Sequence, residues 1–214
     1  MRGAGGSFFG RGLVLTVLLA LAACAGGPER ARLAEPVDLE RCFRQLDALE
    51  GLAYRRLPDR AAGPSCGLRG AVEVRNIGVV VRGIGPLSCP MTARLHRWVR
   101  TGLQPAARER FGQEVASIES YGTYACRPRN NMAGAQTSEH GWANAIDVAG
   151  FRLADGRRIS VLRDWDGGDK AARRFLRDLR DAGCRNFNLV LGPDNDARHR
   201  DHLHFDMGRW VNCR

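Results

Sequence analysis

The sequence predicts a single α+β domain, with N-terminal helices beside a small, mainly antiparallel sheet. Three observations lead there. Apolar residues recur at helical spacing early in the chain and again over 170–182, short apolar or alternating runs are interleaved toward the C-terminus, and neither an internal repeat nor a linker divides residues 38–214.

Each element has its own signal. Asp38 is placed to cap a helix from Leu39 to about Glu50, because Leu39, Cys42, Phe43, Leu46 and Leu49 share one stripe. Residues 57–70, rich in Pro and Gly, read as loop. Val72–Val74 and Val79–Val81 read as short strands with a bend at Gly78. Met91–Arg100 reads as a helix with Leu95, Trp98 and Val99 inward and His96 on the opposite, surface side. Pro105 suits the first turn of another helix reaching about Ala116. Tyr121–Cys126 reads as a strand entering the polar loop 127–137. Asn144–Leu153 reads as a central strand, Asp155-Gly156 as its hairpin turn and Ile159–Leu162 as the return. Lys170–Ala182 reads as a helix stopped by Gly183, and Phe187–Leu191 and His202–Met207 supply the last strands.

Residues 1–23 read as a leader rather than as part of the fold. Arg2 and Arg11 precede an apolar run, Leu13–Leu21, too short to span a bilayer, and small residues follow. Leu21-Ala22-Ala23-Cys24 resembles a bacterial lipoprotein cleavage box, which implies acylation of Cys24 and a lipid-anchored tether over residues 24–37. Cysteine parity agrees: of seven Cys, lipidation of Cys24 leaves Cys42, Cys66, Cys89, Cys126, Cys184 and Cys213, enough for three disulfides in an oxidising compartment. Of 15 possible connectivities, the expected one is Cys66–Cys89, Cys126–Cys184 and Cys42–Cys213. No Cys-x₂-Cys pair is present, which excludes a zinc knuckle or a thioredoxin-like motif. Removing residues 1–23 lowers the formal charge from +10 to +8. Such a balance favours anionic partners. Export, with no helix-turn-helix or paired-Cys finger, argues against nucleic acid and for a carboxylate-rich wall polymer or an anionic membrane.

The chemistry concentrates in two segments. The chain has five His, and His199, His202 and His204 fall within six residues. His140 and Asp147 lie in the middle segment, Ser138–Asp147. Zn²⁺ is held by imidazole nitrogens and carboxylate oxygens, and catalytic sites use three protein ligands and leave one position open. His140, Asp147 and His204 supply such a set. Period-two alternation puts Ala143, Ala145 and Asp147 on one strand face, and His202, His204 and Asp206 on one face of another. Adjacent strands would then bring the three ligands around one ion.

Ser138-x-His140-x₄-Ala145-x-Asp147 with the late His204 resembles the zinc-ligand pattern of the D-alanyl-D-alanine carboxypeptidase group, related in fold to lysostaphin-type peptidases and the hedgehog domain. More closely, Cys89-Pro90-Met91, Tyr124-x-Cys126-Arg127, Ser138-Glu139-His140, Ala145–Phe151, Leu191-Gly192-Pro193 and Asp201-His202-Leu203-His204 resemble the bacterial extensin-like C-terminal family over about Cys42–Cys213. The chain has nine Pro and no Ser/Pro repeat, unlike plant extensins. The peptidase pattern usually has Gly where Ala143 stands.

The resemblance implies a hedgehog/DD-peptidase-like fold, one catalytic Zn²⁺ and hydrolysis of peptide amides in peptidoglycan; the lipid on Cys24 would hold the protein, expected as a monomer, at a membrane facing the periplasm, with the outer membrane the expected site. The general base is Asp201 by the carboxypeptidase pattern or His202 by the lysostaphin pattern, and strand alternation favours His202. Arg127 matches the family arginine and would stabilise developing negative charge or clamp a carboxylate. Ser138 reads as a turn or supporting residue, since no Gly-x-Ser-x-Gly elbow surrounds it. His199 reads either as lining the cleft or as an ordinary residue with no role in the site. The alternative is a non-catalytic wall-associated module that retains the fold.

Overall fold

The computed structural model describes Met1 and residues 38–213, apart from Pro64 and Gly168. The remainder of the expected leader, Cys24 and the tether lie outside the described residues. In chain order the elements are α1 (Leu39–Asp47), β1 (Leu52–Arg56), β2 (Arg60–Ala61), β3 (Gly67–Leu68), β4 (Ala71–Ile77), β5 (Val80–Arg82), β6 (Leu87–Ser88) and α2 (Cys89–Trp98). A π-helical turn, Val99–Leu103, leads into α3 (Gln104–Phe111) and then β7 (Val115–Gly122). After two 3-10 turns come β8 (Ala145–Leu153), β9 (Arg158–Ser160), α4 (Val161–Asp164), α5 (Lys170–Cys184), β10 (Leu189–Leu191), β11 (Leu203–Asp206) and β12 (Asn212–Cys213).

The class is α+β as expected, but the principal sheet is larger and mixed. It has seven strands in the order β12-β10-β11-β8-β7-β5, with β9 pairing β8. The β5–β7 and β10–β12 pairs are parallel and the rest antiparallel. Strand β8 is the axis of the site. One edge pairs with β7, and the other is divided between β11, opposite Ala145–Val148, and β9, opposite Gly150–Arg152.

Ile118, Ile146, Val148, Phe151, Leu203 and Phe205 are fully buried on one sheet face, against Leu95, Trp98, Leu103, Phe175, Leu176 and Leu179 of the helical layer. Burial of each such side chain is worth about 1.5–3 kcal/mol. This layer holds the sheet in place and leaves its opposite face free for polar chemistry. A second, three-stranded sheet, β1-β4-β6, packs Val72 against Cys42, Phe43 and Leu46 of α1. Asp38 caps α1 as anticipated, accepting from the Arg41 N–H at 3.0 Å.

Several expectations are corrected. The segment from Pro105 does not run to Ala116. It continues α2 through the π turn and ends at Phe111, where Gly112 takes a left-handed φ of 64°. The strand expected at Tyr121–Cys126 lies earlier, at Val115–Gly122, where Gln104 bonds both the N–H and the C=O of Val115 at 2.9 Å. Gly183 does not stop α5. It lies inside the helix, where a Cβ would stand 2.7 Å from the Phe205 ring, so its role is close helix–sheet approach. Leu162 belongs to α4 rather than to the return strand.

Residues 57–70 contain a small hairpin, β2–β3, and β1 is an additional strand. His96 is buried rather than on the surface, with Nε2 3.0 Å from the Glu50 carbonyl. The disulfides are Cys42–Cys89, Cys66–Cys126 and Cys184–Cys213, not the expected pairing. Cys42 lies on the inward stripe of α1, beside the start of α2, and that proximity is tertiary. Among the described residues, no helix is long and apolar enough to cross a membrane.

Candidate metal centre and its cleft

His140 reaches the sheet through a short 3-10 turn, Glu139–Trp142. Ser138 caps it by accepting from the His140 N–H at 3.4 Å. Gly141 lets this turn press against the Cys66–Cys126 disulfide, since a Cβ there would stand 3.0 Å from Cys66 Sγ and 2.7 Å from the Thr137 methyl. Ala143 then adopts φ 54°, ψ 30°, reversing the chain into β8. It therefore stands outside the strand, not on the Asp147 face as the period-two reading had it. A left-handed position of this kind ordinarily favours Gly, and Ala143 is one of three non-Gly residues with positive φ among the described residues.

Asp147 and His204 are directly opposite each other on β8 and β11. Leu203 and Phe205 point into the core, so alternation turns His204 and Asp206 to the outer face. His140 Nε2 lies 3.2 Å from Asp147 Oδ2 and 3.3 Å from His204 Nδ1, and His204 Nδ1 lies 2.8 Å from Asp147 Oδ1. One ligand atom from each residue falls within 4.8 Å of the others. The sequence-derived set therefore converges.

The environment favours a cation. Burial would lower the His204 pKa, but hydrogen bonds to Asp147 and Asp206 outweigh it and raise it to about 9. Burial would raise the pKa of Asp147, but hydrogen bonds from His140 and His204 hold it well below the usual carboxylate range. Positive charge between Asp147 and Asp206 is thus strongly favoured. Two imidazole nitrogens and a carboxylate facing an open cleft match the donor set of zinc-type ions.

His204 Nε2, the nitrogen away from Asp147, lies 3.0 Å from Asp206 Oδ2. Such a carboxylate fixes the tautomer and orientation of a metal-binding imidazole. The two-residue spacing of His204 and Asp206 signals the shared face, but the supporting role becomes visible only once the nitrogens are placed.

The cleft of about 500 Å³ around the triad is lined also by Arg127, Arg129, Ser138, Glu139, His199 and His202. His202 Nε2 points toward the triad, 3.5 Å from Asp147 Oδ1, and its Nδ1 is 2.9 Å from Asp201 Oδ1. Asp201 stands behind His202 and also meets the Tyr121 hydroxyl at 3.5 Å. His199 is similarly held, 2.9 Å from Asp196, and burial lowers its pKa. Glu139, to which the sequence assigns no separate role, is a half-buried carboxylate of the cleft wall. It accepts from Asn144 Nδ2 at 2.9 Å and lies 3.7 Å from Arg129, and burial raises its pKa.

Fold and site together define an α+β protein with a buried His–Asp–His group compatible with a metal site. The chain belongs to the family described as extensin-like protein C-terminus, whose family model matches residues 40–214. Comparison with curated proteins and with solved structures gives no match.

Proposed function

We propose that this protein is an exported, zinc-dependent peptidase that hydrolyses amide bonds in the peptides of peptidoglycan. The observation that carries the reading is the convergence of His140, Asp147 and His204 beside a fourth residue, His202, whose far nitrogen is anchored by Asp201. His140, Asp147 and His204 would hold the ion. Bound there, Zn²⁺ supplies Lewis acidity, which polarises a carbonyl and makes water more acidic.

The protein's own groups perform the remaining work. His202 takes a proton from the attacking water and returns it to the leaving amine. Asp201 orients His202 through Nδ1, so the lysostaphin-like assignment of the base is preferred to the carboxypeptidase-like one. Arg127, on the cleft wall, stabilises negative charge developing on the scissile carbonyl or pairs with a substrate carboxylate. The disulfide Cys66–Cys126 fixes the backbone next to Arg127. Three disulfides fit an oxidising compartment. Acylation at Cys24 would keep the enzyme at a membrane facing the wall, and the intact mass of protein from its host tests this directly.

The deciding experiment is mass analysis of purified peptidoglycan fragments incubated with zinc-loaded protein and with its His202→Ala, Asp201→Ala and Arg127→Ala variants. Loss of the base should lower turnover by about 10²–10⁴-fold with zinc retained. Asp201→Ala should have a smaller effect than His202→Ala. If well-folded, zinc-loaded protein cuts no fragment, a non-catalytic wall-associated module becomes the account.

A further inference from the structure

The outer face of the principal sheet carries a second feature beside the metal centre. Asp147 and Ala149 of β8 face outward. Ala149 is an extra residue where the register with β7 shifts, and the resulting change of parity turns Phe151 into the core and Arg152 outward. Arg152 stands directly opposite Arg158 of β9. Arg82 and Arg163 line the same groove of about 600 Å³, in which Glu119 is the only carboxylate among the described lining residues.

Arg82 lies 3.4 Å from Glu119 and Arg163 lies 3.9 Å from Asp164. Among the described residues, Arg152 and Arg158 form no ion pair, and Arg152 Nε is buried without a hydrogen-bond partner. Like charges directly opposite each other in a sheet are destabilising, and a buried donor without an acceptor carries a desolvation penalty. An anion from outside relieves both. Tyr121 lines this groove and meets the ring of His202, a residue of the metal cleft, edge-on at 5.8 Å, so it stands between the two. Asp147 and Arg152 are five positions apart on β8, roughly 15 Å, the reach of four or five extended peptide residues.

We infer that this groove is a carboxylate-binding subsite, which holds the anionic part of a wall peptide flanking the bond presented to the metal centre. The inference rests on the peptidase reading for the identity of the substrate. Guanidinium pairs bind carboxylates bidentately, and two arginines side by side suit a peptide bearing more than one carboxylate. A flat anionic membrane fits less well, because these arginines line a concave groove rather than a protruding face.

The test measures binding to folded, zinc-loaded protein by titration calorimetry. The probes are soluble disaccharide-peptide fragments of peptidoglycan with free carboxylates, and the same fragments with those carboxylates amidated. Arg152→Gln/Arg158→Gln should bind the free-carboxylate fragments at least about tenfold more weakly than wild type, and amidation should weaken wild-type binding similarly. Arg158→Glu, which gives Arg152 an internal partner, should also lose affinity while raising the melting midpoint by about 1–4 °C. Equal binding by wild type and the double variant, or equal binding of amidated fragments, overturns the subsite. So does failure of wild type to bind any fragment, including the case in which it binds phosphatidylglycerol vesicles instead. Arginine-dependent binding without cleavage supports the subsite and overturns only the peptidase reading. Cleavage with binding unaffected by the arginine variants does the reverse.

Discussion

Replacing Asp206 with Asn removes one charge and changes no volume, yet the geometry indicates a large effect on the candidate metal centre. Asp206 is 4% exposed, and both of its oxygens are engaged. Oδ2 faces His204 Nε2 at 3.0 Å and Oδ1 accepts from the Gly208 N–H at 2.8 Å. An amide offers one acceptor and one donor in place of two acceptors. If its oxygen turns to Gly208, its NH₂ faces His204 Nε2 and forces the imidazole proton onto Nδ1, the nitrogen required for a metal. If its oxygen turns to His204, two N–H groups confront each other at Gly208, and a buried donor is left unsatisfied at about 1–3 kcal/mol. Either arrangement predicts zinc affinity lower by about 10–100-fold, the range found for such supporting carboxylates. Competition against a chelator of known affinity, at fixed pH and with folding checked by circular dichroism, measures it. Affinity within a factor of two of wild type would refute the assignment of Nδ1 as the ligand atom and of Asp206 as the group that fixes it.

Without metal, the His204 pKa is raised from 6.5 to about 9, so its stabilising contribution is complete below pH 6.5 and is lost as pH rises toward 9. That loss is about 3 kcal/mol, visible as weaker resistance to urea at pH 9 than at pH 6 in chelator. Metal binding near neutral pH should release protons, because the ion replaces the one on His204, and calorimetry in buffers of different ionisation enthalpy counts them. Removing Cys66–Cys126, which closes a separation of 60 residues, should cost about 4 kcal/mol in urea unfolding of Cys66→Ser/Cys126→Ser. The same variant should lower turnover on wall fragments, since Arg127 follows Cys126 directly. Ala143→Gly relieves a left-handed residue worth about 1–2 kcal/mol but forfeits a buried methyl worth about 0.8 kcal/mol and adds unfolded-state freedom. Stability within about 1 kcal/mol of wild type is therefore expected, with zinc affinity unchanged, and a loss above about 2 kcal/mol would show that the methyl outweighs the strain.

The chemistry was more legible than the architecture, for a physical reason. Asp147 and His204 declare themselves as candidate ligands by residue type and period-two spacing on strands, and His140 by its place in the Ser138–Asp147 segment that resembles a zinc-ligand pattern, so the set is readable before any contact is known. The α+β class and the α1 cap were legible in the same local way. What local pattern could not deliver depends on three-dimensional adjacency. Cys42 and Cys89 are 47 residues apart in sequence, and nothing local distinguishes that partner from Cys213. Gly183 carries the composition of a helix stop, but the Phe205 ring against it decides otherwise. His96 read as surface because it sits opposite the stripe of α2, and the neighbouring Glu50 carbonyl that covers it belongs to another part of the chain. The bulge at Ala149 is likewise invisible to strict alternation, although it is what moves Arg152 to the outer face.

The crowding of Asp among the C-terminal His residues has a single explanation in the structure. An imidazole can work at a metal centre only if its two nitrogens are assigned different tasks, and a carboxylate on one nitrogen makes that assignment. His204 uses Asp206 to free Nδ1 toward Asp147, His202 uses Asp201 to free Nε2 toward the cleft, and His199 is held by Asp196. The three acids differ in distance along the chain, at two, one and three residues from their partners, because one pair lies in a strand, one at its entry and one across a 3-10 turn. This local pairing leaves Asp147, which arrives from a different strand, as the carboxylate shared by His140, His202 and His204 at the centre. Substituting any one of the outer acids should therefore disturb one imidazole, whereas Asp147→Asn should disturb all three and abolish metal binding.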